Sequence, residues 1–280
     1  MIIRKLASPK NIDDRIHVSE SHIRSDKLFT TVLIASVGLL MFAAILTQYA
    51  QEDAFIYFRT AQNIAESGDY SFNKGEGYPA ATSFIYAYII AGFFYTFGNF
   101  SLFAVQVLNC ICAVSSALLL ARLAAVFLNS NENFNKLVFW IVGTSSPLMT
   151  LAVSGMETSF LVCALTVLLY SAACNRPVLL FLASAALPLL RIEVSIAPFL
   201  LILLGITVHQ YRNSTVSAAG LGFGVFCFVI GNLLLTGEIL PQTIIAKSIT
   251  YAPSRSLADI SSRAFGIVFK GNHLIGINTG

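Results

Sequence analysis

Long stretches without a charged residue are the main pattern along this chain. No Asp, Glu, Lys or Arg occurs within residues 28–51, 77–121, 137–156, 158–175, 194–211 and 213–237. A helix that crosses the hydrocarbon core of a bilayer needs about 20 apolar residues, and the second stretch is long enough for two passes. A membrane β-barrel would show shorter alternating segments instead. The pattern predicts an all-α, polytopic transmembrane helical bundle.

Composition supports lipid as the solvent for much of this surface. Hydrophobic residues make up 56% of the 280 residues, charged residues make up 11%, and the mean hydropathy is +0.75. A soluble domain of this composition would expose large apolar patches. The net charge of +3 gives no reason to expect a nucleic-acid partner. We interpret the five cysteines as small hydrophobic residues, because they lie in or beside the apolar stretches.

The charges between the apolar stretches predict an orientation. Residues 1–27 precede the first stretch and contain six basic residues, so we expect them to be cytoplasmic. No signal-cleavage pattern follows the first stretch, so we expect that stretch to remain as a membrane anchor. Residues 50–81 carry five acidic and two basic residues, which favours an extracytoplasmic loop. Residues 28–251 would form the transmembrane domain, and residues 252–280 stay unassigned.

The number of spans depends on residues 82–98. If this short segment lies at the interface or re-enters, the basic residues between spans all fall in the cytoplasm, as the positive-inside rule favours. The predicted spans are then 28–49, 102–127, 137–153, 158–174, 177–190, 194–211 and 215–236. The same choice places Glu157, Arg191, Glu193 and the chain from Gly237 onward outside.

The outer loop begins with a helical pattern. Ala54, Phe58, Ala61 and Ala65 fall on one face of a helix, which predicts an interfacial helix on the bilayer. Asp53 directly precedes it and has two interpretations. It could cap the helix through its carboxylate, or it could act as a general base toward a hydroxyl, strengthened by partial desolvation and by the neighbouring charge of Glu52.

Four further charged residues recur at the predicted outer ends of spans. They are Glu157, Arg191, Glu193 and Lys247. Each has a structural explanation: Glu157 as a helix cap, Arg191 paired with Glu193 or extended toward the interface, and Lys247 solvated. Their location on one side of the membrane favours a common site.

These residues form an ordered set of motifs between about residues 30 and 250. The set comprises Glu52-Asp53-Ala54-Phe55-Ile56 with Arg59, Ala61 and Asn63, then Gly68, Phe72-Asn73, Gly75-Glu76, Thr82-Ser83-Phe84, Gly155-Met156-Glu157-Thr158, Arg191 with Glu193, and Gly237-Glu238-Ile239-Leu240-Pro241 with Ala246-Lys247. In this order and spacing the chain resembles the GT-C class of membrane glycosyltransferases. It is most similar to the branch that contains the terminal arabinofuranosyltransferases of cell walls.

The resemblance implies a reaction and roles for its residues. A polyprenyl phosphate sugar would be the donor, and an envelope glycan, lipid or protein would be the acceptor, at the outer face of the inner (plasma) membrane. Asp53 would be the general base of an inverting attack, with Glu157 as second acid and Glu52 beside it. Arg59, Arg191 and Lys247 would hold the carrier phosphate. Lys74, Glu76 and Glu193 would complete the substrate-binding set.

Alternatives to an active glycosyltransferase stay open. Members of the class usually extend well beyond 280 residues and usually read Arg-Pro-Glu where this chain has Arg191-Ile192-Glu193, so a truncated or inactive relative is one expectation. A multi-pass transporter or flippase would also place polar residues among spans, but closer to mid-membrane. A noncatalytic scaffold would leave the acidic outer loop without a task. The sequence contains no carboxylate cluster dense enough to require a divalent metal.

Overall fold

The computed structural model describes residues 27–47, 49–76, 81–128 and 131–237. Over these residues the protein is all-helical and contains no strand, as predicted. The α-helices are α1 (Lys27–Ile45), α2 (Ala54–Ser67), α3 (Phe84–Phe97), α4 (Ser101–Leu128), α5 (Glu132–Gly143), α6 (Ser146–Val153), α7 (Thr158–Ala173), α8 (Pro177–Leu190), α9 (Ile196–Thr207) and α10 (Tyr211–Thr236). Short 3₁₀ turns at Gly98–Phe100 and Ile192–Ser195 precede α4 and α9.

Two of these helices are long and apolar enough to cross a membrane by themselves. They are α4, with 28 residues, and α10, with 26 residues. The pair α5 and α6 would make a third span if the two helices count as one. The other apolar helices are shorter: the 14 residues of α3 or α8 extend about 21 Å, against a hydrocarbon core of about 30 Å. The larger predicted number of spans therefore stays a prediction.

The predicted span 137–153 is divided between two helices, the bent pair α5 and α6, which together could still form one span. α5 ends at Gly143, α6 begins at Ser146, and the two axes differ by 54°. Pro147 lies in the first turn of α6. Proline has no backbone N–H and crowds the preceding turn, so it is well placed to begin a helix and poorly placed to continue one. The predicted span 194–211 is likewise shortened, to the 12 residues of α9.

Helices α8 and α10 pack with their backbones in close contact. A Cβ atom added to Gly220 would lie 2.4 Å from the Phe181 carbonyl oxygen, and one added to Gly224 would lie 2.3 Å from that of Ala185. The hydroxyls of Ser184 and Ser217 share a hydrogen bond of 3.0 Å across the same contact. Small residues and hydroxyls of this kind are how helices associate in lipid. The contact fixes the end of α8, where Arg191 follows.

Two amide side chains of α4 hold the connecting segments at one end of the bundle. Gln106 Nε2 donates to the carbonyl oxygens of Tyr49 and Val153, both at 2.8 Å. Asn109 Nδ2 donates to the Met156 carbonyl at 3.1 Å. Both side chains are buried. They tie the segment before α2 and the turn after α6 to the longest helix.

Candidate functional site

Four separate segments meet at this end of the bundle. The Gln51 amide donates to the Ser154 carbonyl at 2.9 Å, which joins the start of α2 to the turn after α6. Ser83, the N-cap of α3, donates its amide to Tyr57 Oη at 3.2 Å, and its hydroxyl contacts the Leu189 carbonyl at 3.4 Å. Glu157 and Arg191 face each other across the same region. We call Asp53, Tyr57, Ser83, Glu157 and Arg191 the polar junction.

The turn that carries Glu157 is held from several sides. Gly155 adopts a left-handed φ of +75°, and a Cβ atom there would lie 3.2 Å from Ala54 Cβ. This position therefore favours glycine on both conformational and steric grounds. Tyr86 Oη donates to the Gly155 carbonyl at 2.8 Å, in addition to the bond from Asn109 to Met156. These contacts set the direction in which the Glu157 side chain leaves the turn.

Glu157 is a fully buried acid paired with a partly exposed cation. Arg191 Nε lies 3.4 Å from Glu157 Oε1, and about a third of the Arg191 side chain is exposed (34%). Neither carboxylate oxygen has a well-formed hydrogen bond within the described part of the chain. Burial raises the pKa of the Glu157 carboxyl above its usual value, and the Arg191 charge partly opposes this shift. A buried acid of this kind depends on its cation to stay ionised.

Tyr57 brings a hydroxyl to the same carboxylate. The residue is 4% exposed, and its ring packs edge-on against Tyr86 with centroids 5.2 Å apart. Its hydroxyl lies beside Glu157. Burial, and then the negative charge of Glu157, raise the pKa of the Tyr57 phenol, so this group is a proton donor and not a phenolate.

Asp53 and Glu157 both stand at helix starts, but neither performs the capping role considered from the sequence. Asp53 occupies the N-cap position of α2 and Glu157 that of α7, and neither side chain makes a capping hydrogen bond. The capping interpretation is therefore wrong for both carboxylates. Asp53 is exposed and close enough to Glu157 for their charges to interact. Glu52, beside it, is also exposed.

The partner of Arg191 also differs from the pairing considered from the sequence. Its ion pair is with Glu157, which belongs to a different helix connection, and not with Glu193. Glu193 is exposed on the 3₁₀ turn that follows Arg191. α8 ends at Leu190, and the side chain of Arg191, the next residue, extends toward the turn after α6.

Two other predicted site residues, Lys74 and Arg59, belong to a separate group around Glu66. Lys74 pairs with Glu66 Oε2, and Gln62 donates to Glu66 Oε1 at 2.7 Å. Arg59 is exposed and interacts electrostatically with Glu66. The hydrogen bond and charge of Lys74 lower the pKa of Glu66. This group lies on the exposed side of α2 and the loop after it.

Glu76 belongs to the same loop, and Lys247 lies outside the described residues. Glu76 accepts a hydrogen bond from Asn73 Nδ2 at 2.9 Å. Among the described residues, no hydrogen bond or ion pair joins Arg59, Lys74 or Glu76 to the polar junction. The structure thus divides the predicted site into a junction group and a loop group.

Several residues in and around the junction were not singled out from the sequence. Tyr57, Tyr86, Gln106 and Asn109 carry no charge and lie among apolar neighbours. A signal existed for the two amides, because Gln106 and Asn109 stand three positions apart within a long uncharged stretch. Amide side chains in such a position face protein and not lipid. Tyr57 lies four positions after Asp53, which places both near the first turn of α2.

Within residues 27–47, 49–76, 81–128 and 131–237, no group of three or more His, Cys, Asp or Glu side chains is placed to hold a metal ion. None of the five cysteines forms a disulfide. Comparison with protein-family models, with curated proteins and with solved structures finds no significant match.

Proposed function

We propose that this protein is a membrane glycosyltransferase that moves a sugar from a polyprenyl phosphate carrier to a hydroxyl of an envelope glycan, lipid or protein. One observation carries the proposal. The fold unites an exposed carboxylate, Asp53, with a buried acid and cation, Glu157 and Arg191, from positions up to 138 residues apart. Perturbed acids beside an accessible partner are typical of functional sites.

The reaction assigns a task to each group. Asp53 takes the proton of the acceptor hydroxyl as its oxygen attacks the anomeric carbon. The new carbon–oxygen bond forms while the bond from that carbon to the carrier phosphate breaks, and the bonding electrons leave with the lipid phosphate. Attack from the side opposite the phosphate inverts the anomeric centre. Arg191, whose exposed part remains available, contacts the phosphate as its negative charge grows.

Glu157 is the second acid of the site and acts from behind Arg191. Its charge fixes the guanidinium at the end of α8, so that part of the Arg191 side chain stays oriented outward. The lipid carrier requires a membrane location, for which α4, α10 and the bent pair α5–α6 supply apolar helices. The full arrangement of seven spans, with the junction on the outer face of the inner (plasma) membrane, belongs to this proposal.

The deciding experiment replaces the proposed base. With purified protein, a labelled polyprenyl phosphate sugar and a membrane glycan acceptor, Asp53→Asn should abolish transfer while the unfolding temperature is unchanged. Asp69→Asn is the matched control, since it changes an acid to its amide in the same loop and keeps an oxygen for the Gly75 amide. Transfer retained by Asp53→Asn would contradict the assigned role.

A transporter is the second candidate, and the break between α5 and α6 favours it. Discontinuous helices that end at polar groups form substrate sites in many transporters. The bent pair ends at the turn that carries Glu157. Assays in detergent and in sealed vesicles distinguish the two functions. Sugar transfer proceeds in detergent, whereas transport requires sealed vesicles and leaves the glycosidic bond intact.

A further inference from the structure

Tyr57 is the buried phenol of the polar junction, and the proposed reaction gives it no task. It lies in the second half of the first turn of α2, four positions after Asp53, and it is 4% exposed. Its ring belongs to the core cluster that contains Ala54, Tyr86 and Met156. Because packing fixes the ring, the position of the hydroxyl is also fixed.

The hydrogen bond from Ser83 determines what the Tyr57 hydroxyl can still do. A phenolic hydroxyl has one hydrogen to donate and lone pairs to accept. The Ser83 amide donates to Tyr57 Oη at 3.2 Å, so the oxygen already serves as acceptor. The hydrogen must then point toward another group, and the Glu157 carboxylate lies beside it.

Glu157 needs such a donor. An ionised carboxylate only accepts hydrogen bonds and has about four sites for them. The nearest cation, Arg191 Nε at 3.4 Å, is within ion-pair range but long for a hydrogen bond. Burying a carboxylate with unfilled acceptor sites is costly. A rigid hydroxyl donor on the opposite segment reduces that cost.

We propose that Tyr57 is a positioning residue, which donates its hydroxyl hydrogen to the Glu157 carboxylate and thereby holds Glu157 against Arg191. Its consequence for sugar transfer rests on the proposed function. The contact itself does not, because it concerns only the charge and orientation of Glu157.

The groups that face Glu157 within the described residues predict the direction of the effect. Burial of the turn and the charge of Asp53, before α2, oppose ionisation of Glu157, whereas its own backbone amide, Arg191 and Tyr57 favour it. Tyr86 of α3 is also near but keeps its hydrogen on the Gly155 carbonyl. Removing the Tyr57 hydroxyl removes one stabiliser of the charged form. Glu157 in the variant then keeps its proton to a higher pH.

The test reads the protonation of Glu157 directly. Purified full-length protein in lipid nanodiscs is titrated by infrared spectroscopy, and the carboxyl band of Glu157 is assigned by its loss in Glu157→Gln. In Tyr57→Phe the midpoint should rise by about 1 to 2 pH units, the usual effect of one hydrogen bond to a charged group. Tyr95→Phe, at an exposed position of α3, is the control and should leave the midpoint unchanged.

A second substitution separates the hydrogen bond from packing. Difluorotyrosine at position 57 keeps the ring and is a stronger donor, so the midpoint should fall below that of the unmodified protein. An unchanged midpoint in both variants would overturn the proposal, and so would a shift of the same sign in both.

Sugar transfer supplies an independent readout. If the protein transfers sugar, the acidic limb of the rate profile of Tyr57→Phe should move to higher pH together with the infrared midpoint. If no variant transfers sugar, the proposed function fails while the midpoints still decide the role of Tyr57.

Discussion

The contact between α8 and α10 gives the sharpest test of the structure. Gly224 lies against the backbone of α8, where an added Cβ would be 2.3 Å from the Ala185 carbonyl oxygen and 2.6 Å from Pro188 Cγ. The first distance is shorter by about 1 Å than an ordinary contact of about 3.5 Å. The obstacle is a backbone atom, so a rotamer change cannot relieve it. The two helices must separate in Gly224→Ala.

Gly222 is the matched control on the same helix. No atom lies within 4 Å of a Cβ built at Gly222. Both substitutions gain about 1 kcal/mol from the higher helix propensity of alanine. Overpacking costs about 1–3 kcal/mol and applies only at Gly224. The difference in unfolding free energy between the two variants therefore isolates the packing term, at about 1–3 kcal/mol.

The measurement is reversible unfolding in mixed micelles with increasing SDS, followed by helical circular dichroism. Gly224→Ala should unfold at lower SDS than the unmodified protein, and Gly222→Ala should match or exceed it. Since α8 ends at Leu190, directly before Arg191, Gly224→Ala should also weaken the Arg191–Glu157 pair and raise the infrared midpoint of Glu157. Equal stability of the two alanine variants would refute the close α8–α10 contact.

Two further predictions concern topology and pH. In a background without the native cysteines, a single cysteine at Asn99 should react with an impermeant maleimide added outside, and one at Asn131 should react with the reagent added inside. Labelling of Asn99 only from the cytoplasm would contradict the interfacial placement of 82–98. Burial raises the pKa of Glu157 in the folded protein above the usual 4.5, so the folded state binds its proton more tightly than the unfolded state. The unfolding temperature of the unmodified protein minus that of Glu157→Gln should therefore be largest below pH 4.5 and should fall as the pH rises through the pKa of Glu157 in the folded state. A difference that does not change with pH would contradict the raised pKa.

Local patterns in the sequence predicted local structure well. Ala54 and Ala61 of the predicted helical face are buried, and Phe58 and Ala65 pack against the same cluster. The predicted span 102–127 agrees closely with α4, and 215–236 lies within α10. These elements depend on periodicity and on the length of uncharged runs, both of which a single chain displays directly.

Features that depend on two distant segments were not predictable in this way. Glu193 is the nearest acid to Arg191 along the chain, but Glu157 is its partner, because the end of α8 meets the turn after α6. The bend at residues 144–145 was also missed. An uncharged run has the same hydropathy whether it is straight or broken, and Pro147 is compatible with either a kink or a new helix.

The charge balance of the junction limits how it can bind a phosphate. The junction contains two carboxylates, Asp53 and Glu157, and one guanidinium, that of Arg191. Under the proposed function, a carrier phosphate would add further negative charge. The ionised Glu157 orients Arg191 but also neutralises part of its charge, and Tyr57 favours this ionised form. A carboxylate that is too strongly stabilised would hold Arg191 away from the donor. A phosphate site here is therefore best served by a further cation, and Lys247 is the residue that the sequence predicts for it.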